Sequence, residues 1–121
     1  MSTIKYTEDH EWLKQDGDEV IVGITAHASE QLGDVVFIEL PQLGREVSAG
    51  EEIVVIESVK AASDIVAPVA GVITAVNEAL SDSPGAVNDD AMSAWFFKIK
   101  PAAGVDLSGF MDEAAYNDLI G

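Results

Sequence analysis

The chain reads as a mostly β protein, a flattened barrel or sandwich of short strands with one short helix near residues 26–32 and another near 112–120. Three observations point there. Short runs rich in β-branched and aromatic residues recur, among them Val20-Ile21-Val22, Val35-Val36-Phe37-Ile38 and Ile53-Val54-Val55-Ile56, which suits pleated, half-buried strands. Gly, Pro, Asn and Asp punctuate these runs at close spacing, as in sandwiches and barrels. Only the tail has helical spacing of its apolar residues. With 121 residues and 48% hydrophobic content, one domain spanning 1–121 with one sizeable core is expected.

The elements follow in order. Glu11-Trp12-Leu13-Lys14 and Glu19-Val20-Ile21-Val22-Gly23-Ile24 flank Gln15-Asp16-Gly17-Asp18, and Asp-Gly between β-prone runs signals a hairpin. Thr25 is placed to cap a helical turn over Ala26 to Leu32, closed by Gly33. Asp34 to Leu40 reads as a strand ended by Pro41. Gly44 to Gly50 is a turn, an isolated Val47 and a second turn. Strands at Ile53–Ile56 and Ile65–Val69 flank Lys60, and a break at Ala70-Gly71 precedes Val72 to Asn77. Leu80 to Asp90, rich in Ser, Asp, Asn, Pro and Gly, reads as a long loop, and Trp95 to Lys100 as the last strand. Asp112 to Ile120 opens with acids and spaces its apolar residues at 115, 116, 119 and 120. That predicts an amphipathic helix of about two turns packed on the β core, with Gly121 as its terminator.

Charge narrows the partners. Six basic residues stand against 22 acidic ones, a net charge of −16. Neutralising phosphates requires clustered Lys and Arg, so nucleic acid and anionic membrane surfaces are disfavoured. Partners with basic docking patches are favoured instead. There is no cysteine, hence no disulfide bracing and no thiolate metal site. No apolar run approaches a membrane-spanning length and the N-terminus lacks a signal-type apolar stretch, so the expected placement is cytoplasmic.

Catalytic readings find little support. With no Cys, only His10 and His27 could act as imidazole bases, and nothing resembles Gly-x-Ser-x-Gly. The two histidines lie 17 positions apart, and Asp9-His10-Glu11 lacks a spacing that converges metal ligands. The glycines form no phosphate cradle. Glu51-Glu52 and Asp89-Asp90 read as solvated turn charges, Trp95-Phe96-Phe97 as core with Phe96 partly exposed, and His27 as a surface residue. A faint echo pairs Gly44-x-x-Val47-x-x-Gly50 with Gly85-x-Val87-Asn88-Asp89-Asp90, each before a strand and either side of the lysine turn, suggesting two quasi-equivalent halves.

Lys60 stands apart. It is one of five lysines and sits in Glu57-Ser58-Val59-Lys60-Ala61-Ala62-Ser63-Asp64, at a strand-to-strand connection in an acidic chain. Val59 and Ala61 keep its approach small and uncharged, while Glu57 and Asp64 flank it at a distance. A presented amine can be acylated, form a Schiff base or pair with an anion.

This octapeptide resembles the lipoyl-attachment motif of the glycine cleavage system H-protein family. Tyr6-Thr7-Glu8-Asp9-His10-Glu11-Trp12 is similar to that family's N-terminal hairpin. Gly23-Ile24-Thr25 with Leu32-Gly33-Asp34-Val35-Val36-Phe37 is similar to its helix-and-strand unit. Pro68-Val69-Ala70-Gly71, Val76-Asn77, Trp95-Phe96-Phe97-Lys98-Ile99 and the helix carrying Tyr116 follow in family order, so the resemblance spans about residues 4 to 120. Biotin carriers typically show Met-Lys-Met at the turn. Lipoyl domains of 2-oxoacid dehydrogenases typically show Asp-Lys-Ala and lack the Asp9-to-Trp12 segment and the terminal helix.

The resemblance implies a lipoyl-carrier domain with lipoate joined to Lys60 as an amide. It implies a non-catalytic monomeric shuttle serving glycine decarboxylase (P protein), aminomethyltransferase (T protein) and dihydrolipoamide dehydrogenase (L protein), and loaded by a lipoate ligase or lipoyltransferase. The shuttle carries the aminomethyl group of glycine from the pyridoxal-phosphate decarboxylase to the tetrahydrofolate-dependent transferase, then the dithiol to the dehydrogenase. It also implies a cleft in which Glu11 and Asp64 meet the ammonium of the cargo by charge-assisted hydrogen bonds. Asp9 stands where some members have Ser, offering another anion there. The alternative on the same scaffold is a lipoate relay, or a non-lipoylated binding or regulatory module.

Overall fold

The computed structural model describes residues 4–91, 94–102 and 109–120. Strands β1 (Ile4–Tyr6), β2 (Glu11–Asp16) and β3 (Glu19–Ile24) form an antiparallel meander. The β2–β3 hairpin closes where Asp16-Gly17 predicts it, with Gly17 at φ 64°, a conformation costly to any residue with a Cβ. Trp12 pairs with Gly23 across this hairpin. A Cβ on Gly23 would lie 2.5 Å from the Trp12 ring, so glycine lets the indole lie flat against the neighbouring strand. The indole Nε1 donates to the Ala91 carbonyl at 3.1 Å.

Helix α1 (Ala26–Leu32) forms as the sequence predicts. Thr25 Oγ1 accepts from the Ala28 N–H, and Gly33, at φ 77°, donates back to the Ser29 carbonyl. Then come β4 (Val35–Glu39), β5 (Glu46–Val47), β6 (Glu52–Ser58), β7 (Ala62–Val66) and β8 (Gly71–Val76), followed by α2 (Ala79–Asp82), α3 (Ala86–Asp89), β9 (Phe97–Pro101) and α4 (Glu113–Ile120). The strands make two antiparallel sheets, one ordered β1-β2-β3-β9-β8-β5 and the other β4-β6-β7. Both sheets are open, so the architecture is a sandwich rather than a closed barrel. Leu13, Val22, Ile38, Ile56, Ile65, Phe97 and Ile99 fill one continuous core, each worth ~1.5–3 kcal/mol on burial. Tyr6, Trp12 and Tyr116 form a separate aromatic cluster that seats α4 on β1.

Several expectations need correction. Leu80 to Asp90 is not a loop but carries α2 and α3. Its polar composition suits helix first turns, and the buried Leu80 and Val87 anchor the two turns on the core. The last strand begins at Phe97 rather than Trp95, and Phe96 is fully buried, with its N–H donating to the Val22 carbonyl. Trp95 is the half-buried member, with Lys98 Nζ 5.6 Å from its ring centroid. The strand after Lys60 ends at Val66, since Pro68 has no N–H to extend a ladder. The strand before it runs further, from Glu52 to Ser58. The two segments of the suggested echo differ locally: Gly44–Gly50 holds β5 between turns, whereas Gly85 caps α3. Gly121, the expected helix terminator, lies outside the described residues.

Candidate functional site

Lys60 sits at the tip of the β6–β7 hairpin, in the middle of the three-residue connection Val59-Lys60-Ala61. The hairpin closes on Ser58. Its N–H donates to the Ala61 carbonyl at 2.8 Å, and its Oγ lies 3.3 Å from the Lys60 N and 3.0 Å from the Ala61 N, both of which donate to it. A hydroxyl thus takes over the backbone closure that tight hairpins otherwise obtain from Gly or Asn at positive φ. Lys60 and Val59 are both exposed.

The turn rests on the junction of α1 and β4. The Val59 N–H donates to the Asp34 carbonyl at 3.1 Å. The Lys60 stem crosses Gly33 so closely that a Cβ there would lie 2.5 Å from Cε and 3.4 Å from Nζ. Asn88 of α3 fastens this junction from the other side. Its Oδ1 accepts from the Val35 N–H at 2.8 Å, while its Nδ2 donates to the Gly33 carbonyl at 2.7 Å and to Ser29 Oγ at 3.3 Å. Sequence reasoning missed Asn88, which it met only inside a stretch read as loop. Its one signal is chemical: an amide carries both donors and an acceptor, as a backbone clamp needs.

The three acids expected at the cleft converge. Asp9, Glu11 and Asp64 line one cleft of about 140 Å³, together with Ile24, Leu32 and Ile65. Lys60 is not in that lining, but Leu32 precedes the glycine it crosses and Ser63, also in the lining, follows it closely. Asp9 and Asp64 are exposed. Glu11 is only 1% exposed, and its Oε2 accepts from the Val66 N–H at 2.9 Å while Thr7 Oγ1 reaches Oε1 at 3.5 Å. Neither partner is a cation. Burial therefore dominates and pushes the carboxyl up to about 8, the Val66 hydrogen bond opposing and Asp9 adding to the rise. Glu11 and Asp9 also line a second cleft of about 360 Å³ with Thr7, Val66, Pro68 and Met111.

His10 borders the smaller cleft at φ 66°. Its Nδ1 lies 2.8 Å from Tyr116 Oη, which is also 2.7 Å from Thr25 Oγ1. Tyr6 stacks on Tyr116 at 4.7 Å. His27, expected at the surface, is half-buried with its ring 4.8 Å from that of His10. Burial, then His27, holds His10 below its ordinary range, with Asp9 opposing. Among the described residues, no group of three or more His, Asp or Glu is arranged to hold a metal ion. Nor is any helix there long and apolar enough to cross a membrane.

Comparison with known proteins gives a consistent result. The family model described as "Glycine cleavage H-protein" matches residues 4–121. The chain is 58% identical to the glycine cleavage system H protein of Bradyrhizobium diazoefficiens, with 96% of each chain covered. It is 53% identical to that of Beijerinckia indica subsp. indica, covering 99% of this chain and 98% of that one. The crystal structure of a glycine cleavage system H protein from Mycobacterium marinum superposes with a TM-score of 0.88 at 38% identity, covering 98% of this chain and 97% of the other.

Proposed function

The chain belongs to the glycine cleavage H-protein family, and on that premise we propose that it is a lipoyl-bearing shuttle of glycine cleavage with Lys60 as the attachment site. The observation that carries this is the placement of Lys60. Its amine stands on an exposed tip closed by Ser58, where several enzymes can reach it in turn. The residues present fit the group. The amine makes no hydrogen bond or ion pair among the described residues, so acylation removes no contact. The neighbouring cleft joins apolar side chains to carboxylates, matching an alkyl arm that ends in a cationic cargo.

When bound, lipoate supplies a sulfur that accepts the aminomethyl group and a disulfide–dithiol couple; that hard chemistry belongs to the cofactor and the partner enzymes. This chain's residues present, shelter and release. Glu11, Asp64 and Asp9 hold the ammonium of the cargo, and its positive charge draws Glu11 toward its ionised form. Ile24, Leu32 and Ile65 keep water from that end of the cleft. The protein itself catalyses none of the steps. Its partners are the other components of glycine cleavage, which we identify with the glycine decarboxylase, the aminomethyltransferase and dihydrolipoamide dehydrogenase. An enzyme that attaches lipoate precedes them, and the shuttle works as a monomer.

Intact-mass spectra of the chain expressed with lipoate and a lipoate ligase test this. A lipoyl increment present in the wild type and missing from Lys60→Arg is expected. An increment that persists in Lys60→Arg overturns the assignment.

A further inference from the structure

The outer face of β4 next to the lysine tip has a feature that carrying a lipoyl arm does not require. Strict alternation along Val35-Val36-Phe37-Ile38 would send one of the two central residues into the core. Instead, β4 slips register against β6: Val35 pairs with Ser58 and Phe37 with Glu57, leaving Val36 as an extra residue. That is a β-bulge, a device that re-aims side chains. As a result Val36 is 55% and Phe37 47% exposed, side by side in sequence, while Val35 and Ile38 remain buried. Val59, 66% exposed, joins them through the hydrogen bond from its N–H to the Asp34 carbonyl.

Three of the six large apolar side chains exposed among the described residues therefore gather beside Lys60, and Phe37 is the single aromatic among the six. Asp34 and Glu39, both exposed, border them. An apolar centre with an acidic border on a chain of net charge −16 complements an apolar depression bordered by Lys and Arg.

We propose that Val36, Phe37 and Val59 form the docking surface for the enzyme that acylates Lys60, which meets them with an apolar depression bordered by basic side chains. This rests on Lys60 being the lipoylated residue. The occupant follows from a selection problem. The acylating enzyme must choose one amine among five lysines. Lys98 and Lys100 are ion-paired to Asp16 and Asp18, but Lys14 is exposed, so exposure alone does not single out Lys60. What distinguishes Lys60 is the bulge-exposed apolar group beside it. In the reaction, Lys60 Nζ forms an amide with the acyl carbon of a lipoyl adenylate made from lipoate and ATP. AMP leaves with the electron pair of the acyl–oxygen bond, and the nitrogen gives up one proton.

The test measures initial acylation rates by intact mass, with purified carrier, a lipoate–protein ligase, lipoate, ATP and Mg²⁺, over a range of carrier concentrations. The variants are Phe37→Ser, Val36→Ser and Val59→Ser, each checked for native circular dichroism, with Leu119→Ser on α4 as a distant apolar control. For Phe37→Ser and at least one of the other two, KM for the carrier is expected to rise about tenfold, as for a docking hot spot, with kcat within about twofold and the control unchanged. Glu39→Lys is expected to raise KM at low salt and to approach wild type as salt rises. Unchanged KM in Val59→Ser and Phe37→Ser, with the wild type acylated at Lys60, overturns the docking surface alone. An equal rise in Leu119→Ser also overturns it. A wild type that gains no mass on Lys60 overturns the docking surface and the lipoyl assignment together.

Discussion

The Glu11 side chain accepts the backbone N–H of Val66 through Oε2 at 2.9 Å, and in doing so ties the six-stranded sheet to the edge of the three-stranded one. β7 is an edge strand, so without this contact the Val66 donor would face the second cleft unpaired. One side chain therefore both staples the sandwich and supplies the buried acid of the cleft.

A pH dependence of stability follows. The Glu11 carboxyl lies at about 8 in the folded chain against an ordinary value of 4.5. Between those values the unfolded chain has lost the proton and the folded chain keeps it. The contribution is thus fully present below about pH 4.5 and is lost as pH rises through about 8, at a slope of ~1.4 kcal/mol per pH unit. Glu11→Gln removes the titration. Urea unfolding of both proteins from pH 5.5 to 8.5 should show the wild type losing stability relative to the variant as pH rises. Taking the difference cancels the opposite contribution of His10, whose lowered value makes the fold gain stability toward neutral pH. Parallel curves for the two proteins would show that Glu11 is ionised throughout.

Gly33→Ala should disturb two things at once. Residue 33 has φ 77° and ψ −154°, a region essentially restricted to glycine, so an alanine costs roughly 1–3 kcal/mol and Tm should fall by at least about 3 °C. The new Cβ also occupies the path of the Lys60 stem. In spectra of lysine-labelled protein, the ε-CH₂ signal of Lys60 should move while those of the other four lysines stay put. An unmoved Lys60 signal would mean that the stem does not rest on this glycine in solution.

Association with partner enzymes should weaken as ionic strength rises, because a net charge of −16 acts over distance and the Debye length shrinks from about 10 Å at 0.1 M salt to about 3 Å at 1 M. The association rate should carry most of the change. Stopped-flow measurements at several salt concentrations check it, and rates that do not vary with salt would point to purely apolar docking.

Much of this was legible in the residues. Asp16-Gly17, Thr25 with Gly33, and the β-branched runs flanking Lys60 encode local geometry that any context would respect, and each element formed close to where they place it. Asp9 and Glu11 are near neighbours, but Asp64 lies more than 50 positions away, so its convergence with them came from the family resemblance and not from spacing. Asn88 was invisible because its partners, Ser29, Gly33 and Val35, meet it only after folding. The exposure of Val36 beside Phe37 was hidden for a related reason: a strand's own sequence gives its alternation, but a bulge is set by the partner strand's register. α2 and α3 were missed because single helical turns are held by buried anchors such as Leu80 and Val87 rather than by their own propensity.

The lysine tip is closed by the Ser58 hydroxyl and braced by the Asp34 carbonyl, and the ε-amine takes no part in either contact. On the proposed assignment, turning that amine into a neutral amide breaks neither contact. Loaded and empty forms would then share one backbone frame at the tip, so an enzyme that tells them apart would have to read the arm or the charge that its cargo draws out on Glu11.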